Sequence, residues 1–174
     1  MNKTIIVKHL WKINNVIVGY KYYKKSLTSY HITTLFGFII GIFNIFLGVY
    51  LILSNESRFA WDSLFCILTG IFLLSMNKIN LIYFIHRMKR TKYENKQLEW
   101  EISEDKIVYR MLNLLETTLN WELIKGIIDT PQGFLILQPN LYYWLPKNAF
   151  NNDEDIAQFL LIAQDQVKNW QKIK

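Results

Sequence analysis

Between Ile32 and Leu53 the chain runs for 22 residues without a formal charge. That segment limits what the protein can be. Fifteen of these residues are Leu, Ile, Phe or Val, each worth roughly −0.5 kcal/mol on insertion into a bilayer, or about −7 kcal/mol together. At a rise of about 1.5 Å per residue the segment is long enough to cross ~30 Å of hydrocarbon. Asn44 is its one strongly polar residue. A secretory signal is disfavoured, because the run starts at residue 32 and no small-residue cleavage site follows.

A second apolar run, Phe59 to Leu81, contains Asp62 and Lys78. Sixteen helical residues put these charges about 24 Å apart, so each falls near one face of the bilayer, where Lys78 can snorkel. Trp61 and Tyr83 sit where interfacial aromatics belong. The reading is two transmembrane helices over 30–53 and 59–82, joined by a short loop over 54–58. Lys3, Lys8, Lys12, Lys21, Lys24 and Lys25 precede the first helix, and Arg87, Lys89, Arg90 and Lys92 follow the second. This asymmetry predicts both termini in the cytoplasm and the loop outside.

Charge divides the chain. Residues 1–96 hold thirteen Lys and Arg against three Asp and Glu, a net of +10; residues 97–174 hold seven against eleven, a net of −4. The positive charge flanks apolar segments rather than a folded polar surface, so it reads as membrane topology and not as a nucleic-acid interface. A mean hydropathy of only +0.09 excludes a polytopic transporter, and 16% aromatic content excludes disorder. The single cysteine, Cys66, excludes an intramolecular disulfide and a cysteine-based metal site.

Beyond the basic juxtamembrane linker 83–96 the pattern changes to that of a separate domain over 97–174. Leu98–Ile102 alternates apolar and polar residues as a half-buried strand does. Ile107–Leu112, Thr117–Trp121, Ile124–Thr130, Phe134–Gln138 and Leu141–Leu145 read as further strands, with turns at 103–106, at Pro131–Gly133 and at Pro139–Asn140. Asn151 or Asn152 then caps a helix whose first turn carries Asp153, Glu154 and Asp155. Ile156, Phe159, Leu160, Ala163, Val167 and Trp170 mark its apolar face. Six strands and a C-terminal helix predict an α+β domain, an antiparallel sheet or partly open barrel of pleckstrin-homology-like type. A missing seventh strand is expected within the basic N-terminal segment 1–29, at Thr4–Lys8, so that the helical hairpin is inserted into a split domain.

The segments Trp121–Thr130, Phe134–Leu137 and Tyr143–Phe150, followed by an acidic turn and an amphipathic helix, resemble the YcxB-like family. That resemblance implies a bacterial protein with two membrane spans and a YcxB-like C-terminal domain of pleckstrin-homology-like type. It implies no biochemical activity.

The sequence offers no catalytic, cofactor-binding or metal-ligating set. His9, His31 and His86 lie in the basic half without a nearby acid to orient them, and no phosphate loop, dinucleotide fingerprint or zincin motif occurs. Arg110, Lys106 and Lys125 are too scattered for a phosphoinositide site. Gly37 and Gly41 form a small-xxx-small pair, with Gly48 a heptad beyond, and Cys66 and Gly70 offer a similar face. They serve packing within the hairpin or a weak homodimer through Gly37 and Gly41. Asn44 is expected to bond towards Ser63, Thr69 or a partner helix. The expectation is a non-enzymatic inner-membrane protein whose spans anchor a cytoplasmic protein-interaction module. Its partners are the lipid bilayer and another protein, without nucleic acid or cofactor. The alternative is a small immunity or regulatory subunit acting through its spans.

Overall fold

The computed structural model describes residues 4–54, 60–139 and 141–173. Two units emerge: one comprises residues 1–23 and 91–174, the other residues 24–90. Arg58, the loop segment 55–58, Lys3 and the second residue of the Pro139–Asn140 turn lie outside the described residues.

The helical unit is built on α2 (Thr28–Leu53) and α3 (Ala60–Lys89), both long and apolar enough to cross a membrane. They pack on each other through glycines. A methyl group placed on Gly70 would stand 2.6 Å from the Gly41 carbonyl, and one on Gly48 would stand 2.8 Å from the Ser63 carbonyl. Only residues without a side chain allow that approach. The remaining surface stays uncovered: Phe36, Phe43, Phe46, Trp61 and Phe65 are each at least 60% exposed. A core helix of a water-soluble domain would bury one face. Here only 11% and 6% of the most apolar windows are buried. The second helix runs on to Lys89, past the expected end at 82, so the first half of the expected linker is helical.

The other unit begins with β1 (Ile5–Leu10) and α1 (Ile13–Ser26), and continues with β2 (Gln97–Ile102), β3 (Lys106–Met111) and β4 (Leu115–Asn120). The N-terminal strand pairs antiparallel with β2 in the register Ile5↔Ile102 to Leu10↔Gln97. One four-stranded antiparallel sheet thus runs β1-β2-β3-β4. Period-two alternation turns Ile5, Val7, Trp100, Ile102 and Ile107 inward. The outward positions carry a cross-strand row, Lys8↔Glu99↔Arg110↔Glu116. Lys8 donates to Glu99 at 2.9 Å, and Arg110 reaches Glu101 at 2.7 Å and Glu116 at 3.1 Å. The Lys8 hydrogen bond, more than any other influence, holds the Glu99 carboxyl below the usual carboxylate range. Exposed pairs of this kind contribute little stability but keep the face solvated.

The second sheet comprises β5 (Gly126–Asp129), β6 (Gly133–Leu137), β7 (Tyr142–Pro146) and β8 (Trp170–Lys172) in the order β7-β6-β5-β8. Three expectations change here. Trp121 closes no strand; it starts a short 3-10 turn, Trp121–Leu123, and its indole donates to the Ser103 carbonyl at 3.0 Å. Trp170 is not on the helix face. The helix α4 (Asp153–Gln166) ends with Val167 extended, and Trp170 enters β8, parallel to β5. The strands form two sheets rather than one, and no closed barrel occurs among the described residues. Both sheets and α4 share one core, in which Phe134 packs on Phe159 at 4.7 Å and on Phe150 at 6.1 Å. Asn152 caps α4 by accepting from the Asp155 amide at 2.7 Å, while Asn151 donates to the Ile6 carbonyl. The three acids of the first turn thus serve the helix end.

Candidate functional site

The sheet domain carries an open cleft of about 290 Å3 beside the turn before β6 and the end of β7, lined in part by Asn15, Gln132, Trp144, Lys147 and Asn148. Its wall is fixed by close backbone approach. A methyl on Gly19 would meet the Trp144 Cβ and Cγ at 2.8 Å, and one on Gly133 would meet the far ring of the same indole at 2.7 Å. Tyr22 stacks on Trp144 at 5.8 Å, and Tyr23 on Tyr142 at 4.3 Å. Two glycines and an aromatic ladder therefore seat α1 along β7. Burial pushes the Tyr142 phenol well up, with Tyr20 and Tyr23 adding to the effect.

Beneath the cleft lies an ion pair. Asp129 is 4% exposed. Lys147 donates to its Oδ1 at 2.6 Å and to the Thr130 carbonyl at 2.7 Å. The Thr130 hydroxyl donates to the Gly133 carbonyl and accepts from the Gly133 amide, closing the Pro131–Gly133 turn. The Leu145–Phe150 segment is thereby explained physically: Lys147 neutralises a buried carboxylate and Phe150 completes the core trio. These residues do structural work. The cleft itself presents the amides of Asn15, Gln132 and Asn148. The Trp144 indole N–H is itself buried and has no hydrogen-bond partner among the described residues. Such a surface suits carbonyl or carboxylate acceptors.

The other residues singled out by sequence do not converge. Arg110 is held by glutamates on the outer face of the first sheet, Lys106 begins β3, and Lys125 precedes β5 in the second sheet. His31 donates to the Lys25 carbonyl at 2.6 Å, and His86 is exposed near the end of α3. His9 stands in β1, where burial lowers its pKa to about 4, and its Nδ1 has no partner among the described residues. Among the described residues no three His, Cys, Asp or Glu side chains stand together as metal ligands.

In the helical unit Gly41, Gly48 and Gly70 are consumed by packing between α2 and α3, whereas a methyl on Gly37 would meet nothing within 4 Å. Gly37 opens onto a notch of about 320 Å3 that includes Thr33, Thr34, Asn77 and Asn80. A side-chain bond across the two helices runs from Asn77 to Thr34 at 3.4 Å. Thr69, an expected partner of Asn44, bonds instead to the Phe65 and Cys66 carbonyls of its own helix.

Sequence reasoning missed the cleft because its walls come from residues 15–18, 131–132 and 144–148, which only the seating of α1 unites. A glycine within the tyrosine-rich stretch 19–23 was the available signal.

A two-helix apolar unit joined to a domain of two sheets and a helix defines the class of protein. Residues 102–163 match the family model described as YcxB-like protein. The chain therefore carries a YcxB-like domain, extending from the last residue of β2 into α4. No curated protein and no solved structure matches it.

Proposed function

We propose that this chain is a bacterial inner-membrane protein. In this reading α2 and α3 cross the bilayer as an anchor, both flanks lie in the cytoplasm, and the sheet domain is a pleckstrin-homology-like protein-interaction module without catalysis of its own. The observation that carries the reading is the contrast between the two units. The sheet domain closes its own core, whereas α2 and α3 leave large apolar side chains exposed along their length. That exposed surface is far larger than a protein in water tolerates, and lipid is the solvent that removes the cost. The basic flanks set the orientation. Two sheets around one core with a C-terminal helix support the pleckstrin-homology-like reading.

The Trp144 cleft is the proposed docking place for a protein segment that presents backbone carbonyls or a carboxylate. Photo-crosslinking from Asn148 in living cells tests this: a discrete adduct lost on Trp144→Leu supports it, and adducts unaffected by that change reject it. Carbonate extraction tests the anchor, because an integral protein stays with the membrane pellet. The open side of Gly37 favours a second reading, in which a further helix packs there, from a second copy or from a protein that this chain regulates or neutralises. With Gly41 used inside the hairpin, that contact rests on Gly37.

A further inference from the structure

Each sheet ends in two edge strands, and three of these four edges are managed. At β1 the Asn151 side chain donates to the Ile6 carbonyl at 3.4 Å. Along β7, Tyr22 and Tyr23 of α1 stack on Trp144 and Tyr142. The β8 strand is three residues long and ends on Lys172, and a short, charged edge resists pairing. The fourth edge, β4, has none of these devices. It lies at the end of its sheet, and among the described residues no strand pairs with its outer side. Its six residues, Leu-Glu-Thr-Thr-Leu-Asn, hold no lysine and no proline. They face β3 in unbroken register from Lys106↔Asn120 to Met111↔Leu115, without a bulge. A regular edge of this kind is a template for another strand.

The residues along and beside β4 say which strand fits. Glu116 is its one charge, and Arg110 already holds that carboxylate at 3.1 Å, so the edge calls for no charged partner. Leu115, which opens the strand, is 53% exposed, and Leu114 before it 54%. At the other end Leu123, the last residue of the 3-10 turn that follows β4, is 55% exposed. Exposed leucines at both ends suit an antiparallel copy of the same strand, because a two-fold axis through its middle carries each end onto the other. Directly opposed residues lie on the same face of a sheet. An axis at Thr117 therefore sets Thr117 on Thr117, Leu115 on Leu119 and Glu116 on Thr118. Apolar meets apolar, and no like charges face each other. The same axis brings Leu114 of each copy towards the Trp121–Leu123 turn of the other.

We infer that β4 is a self-pairing edge: two copies of this chain join antiparallel through β4 about Thr117, and their two first sheets become one continuous sheet. The occupant is a second copy rather than a foreign strand, because this one edge supplies both halves of the fit. The contact is made by the sheet domain alone and is separate from any contact at Gly37.

The test uses the full chain with Cys66→Ala in detergent micelles. A single cysteine is introduced as Thr117→Cys, or as Ile6→Cys on the opposite edge of the same sheet, three strand spacings or about 14 Å away. Opposed residues of an antiparallel pair stand about 4.5–5.5 Å apart at Cα, a span that a disulfide bridges. Mild oxidation is expected to link two copies at Thr117→Cys at least tenfold faster than at Ile6→Cys. Adding Leu115→Lys, a change at an exposed position, is expected to slow the crosslink at 117 at least fivefold. Crosslinking at 117 no faster than at 6 overturns the inference, and this comparison stands whatever the lysine does to folding. A crosslink at 117 that keeps its rate with Leu115→Lys overturns the register and the inference with it. A chain that stays monomeric in micelles, yet forms an adduct with another protein at Thr117→Cys in cells, assigns the edge to a foreign strand and also overturns it.

Discussion

Replacing Lys147 by Met isolates the buried ion pair under the cleft. The substitution keeps the length of the apolar stem but removes both donated hydrogen bonds, at 2.6 Å to Asp129 and 2.7 Å to the Thr130 carbonyl. Asp129 is then left 4% exposed, with Lys172 at 3.9 Å from its other oxygen as the nearest cation. Removing one partner of a buried pair costs about 3–5 kcal/mol, because the remaining charge stays desolvated. Lys172 is mostly exposed and offsets part of that, so a loss of about 3 kcal/mol is expected. Against a typical domain stability of about 5–15 kcal/mol, this lowers the midpoint by roughly 10 °C. Thermal unfolding of the full chain in detergent micelles, followed by tryptophan fluorescence, gives the number. The double variant Asp129→Asn with Lys147→Met removes the stranded charge and is expected to recover at least half of the loss. A loss below about 1 kcal/mol for the single variant, or a double variant no better than the single, refutes the argument.

Gly70→Val forces a side chain against the Gly41 carbonyl and Ile45 and is expected to cost the hairpin about 1–3 kcal/mol, whereas Gly37→Val leaves hairpin stability unchanged; unfolding in micelles separates them, and loss of a homodimer on Gly37→Val alone assigns that glycine to an outer contact. His9, with its pKa lowered to about 4 from 6.5 by burial, binds its proton more readily in the unfolded chain. Stability therefore rises with pH between about 4 and 6.5 and levels above. The loss at the acid end is at most about 3 kcal/mol, reduced by solvent screening, and His9→Gln flattens the profile measured by pH-dependent melts.

Much of this architecture is legible in the sequence because it obeys simple periods. Leu98, Trp100 and Ile102 alternate inward, and the observed β2 begins one residue earlier. The N-terminal strand is readable from Thr4–Lys8 alone, since an isolated β-branched run needs a sheet to complete. The C-terminus defeats the same logic. Val167 and Trp170 continue the helical spacing of Ile156, Phe159 and Ala163, so periodicity extends the helix. Tertiary pairing ends it: Asn169 accepts from the Ile127 amide at 3.0 Å and donates to the Lys125 carbonyl at 3.0 Å, drawing Trp170 beside Ile127. In the outward charge row Arg110 reads from sequence as one of several scattered cations, and its glutamate partners Glu99, Glu101 and Glu116 emerge only in the structure. What binds it into one row is register, which sequence alone does not specify. The glycines carry the opposite lesson. Gly37 and Gly41 look alike in a motif, yet one abuts Gly70 and the other faces open space.

In the proposed reading the two flanks of the hairpin fold together on one side of a membrane. A disulfide between Lys8→Cys and Glu99→Cys tests it directly, in a Cys66→Ala background, in native membranes after mild oxidation. These two positions are register partners in β1 and β2, at a spacing that a disulfide bridges. An intramolecular crosslink in the carbonate-resistant pellet is expected, with no labelling of either cysteine by a membrane-impermeant thiol reagent added to intact cells. Free thiols after oxidation, a crosslinked protein released by carbonate, or labelling from outside at either position would contradict it.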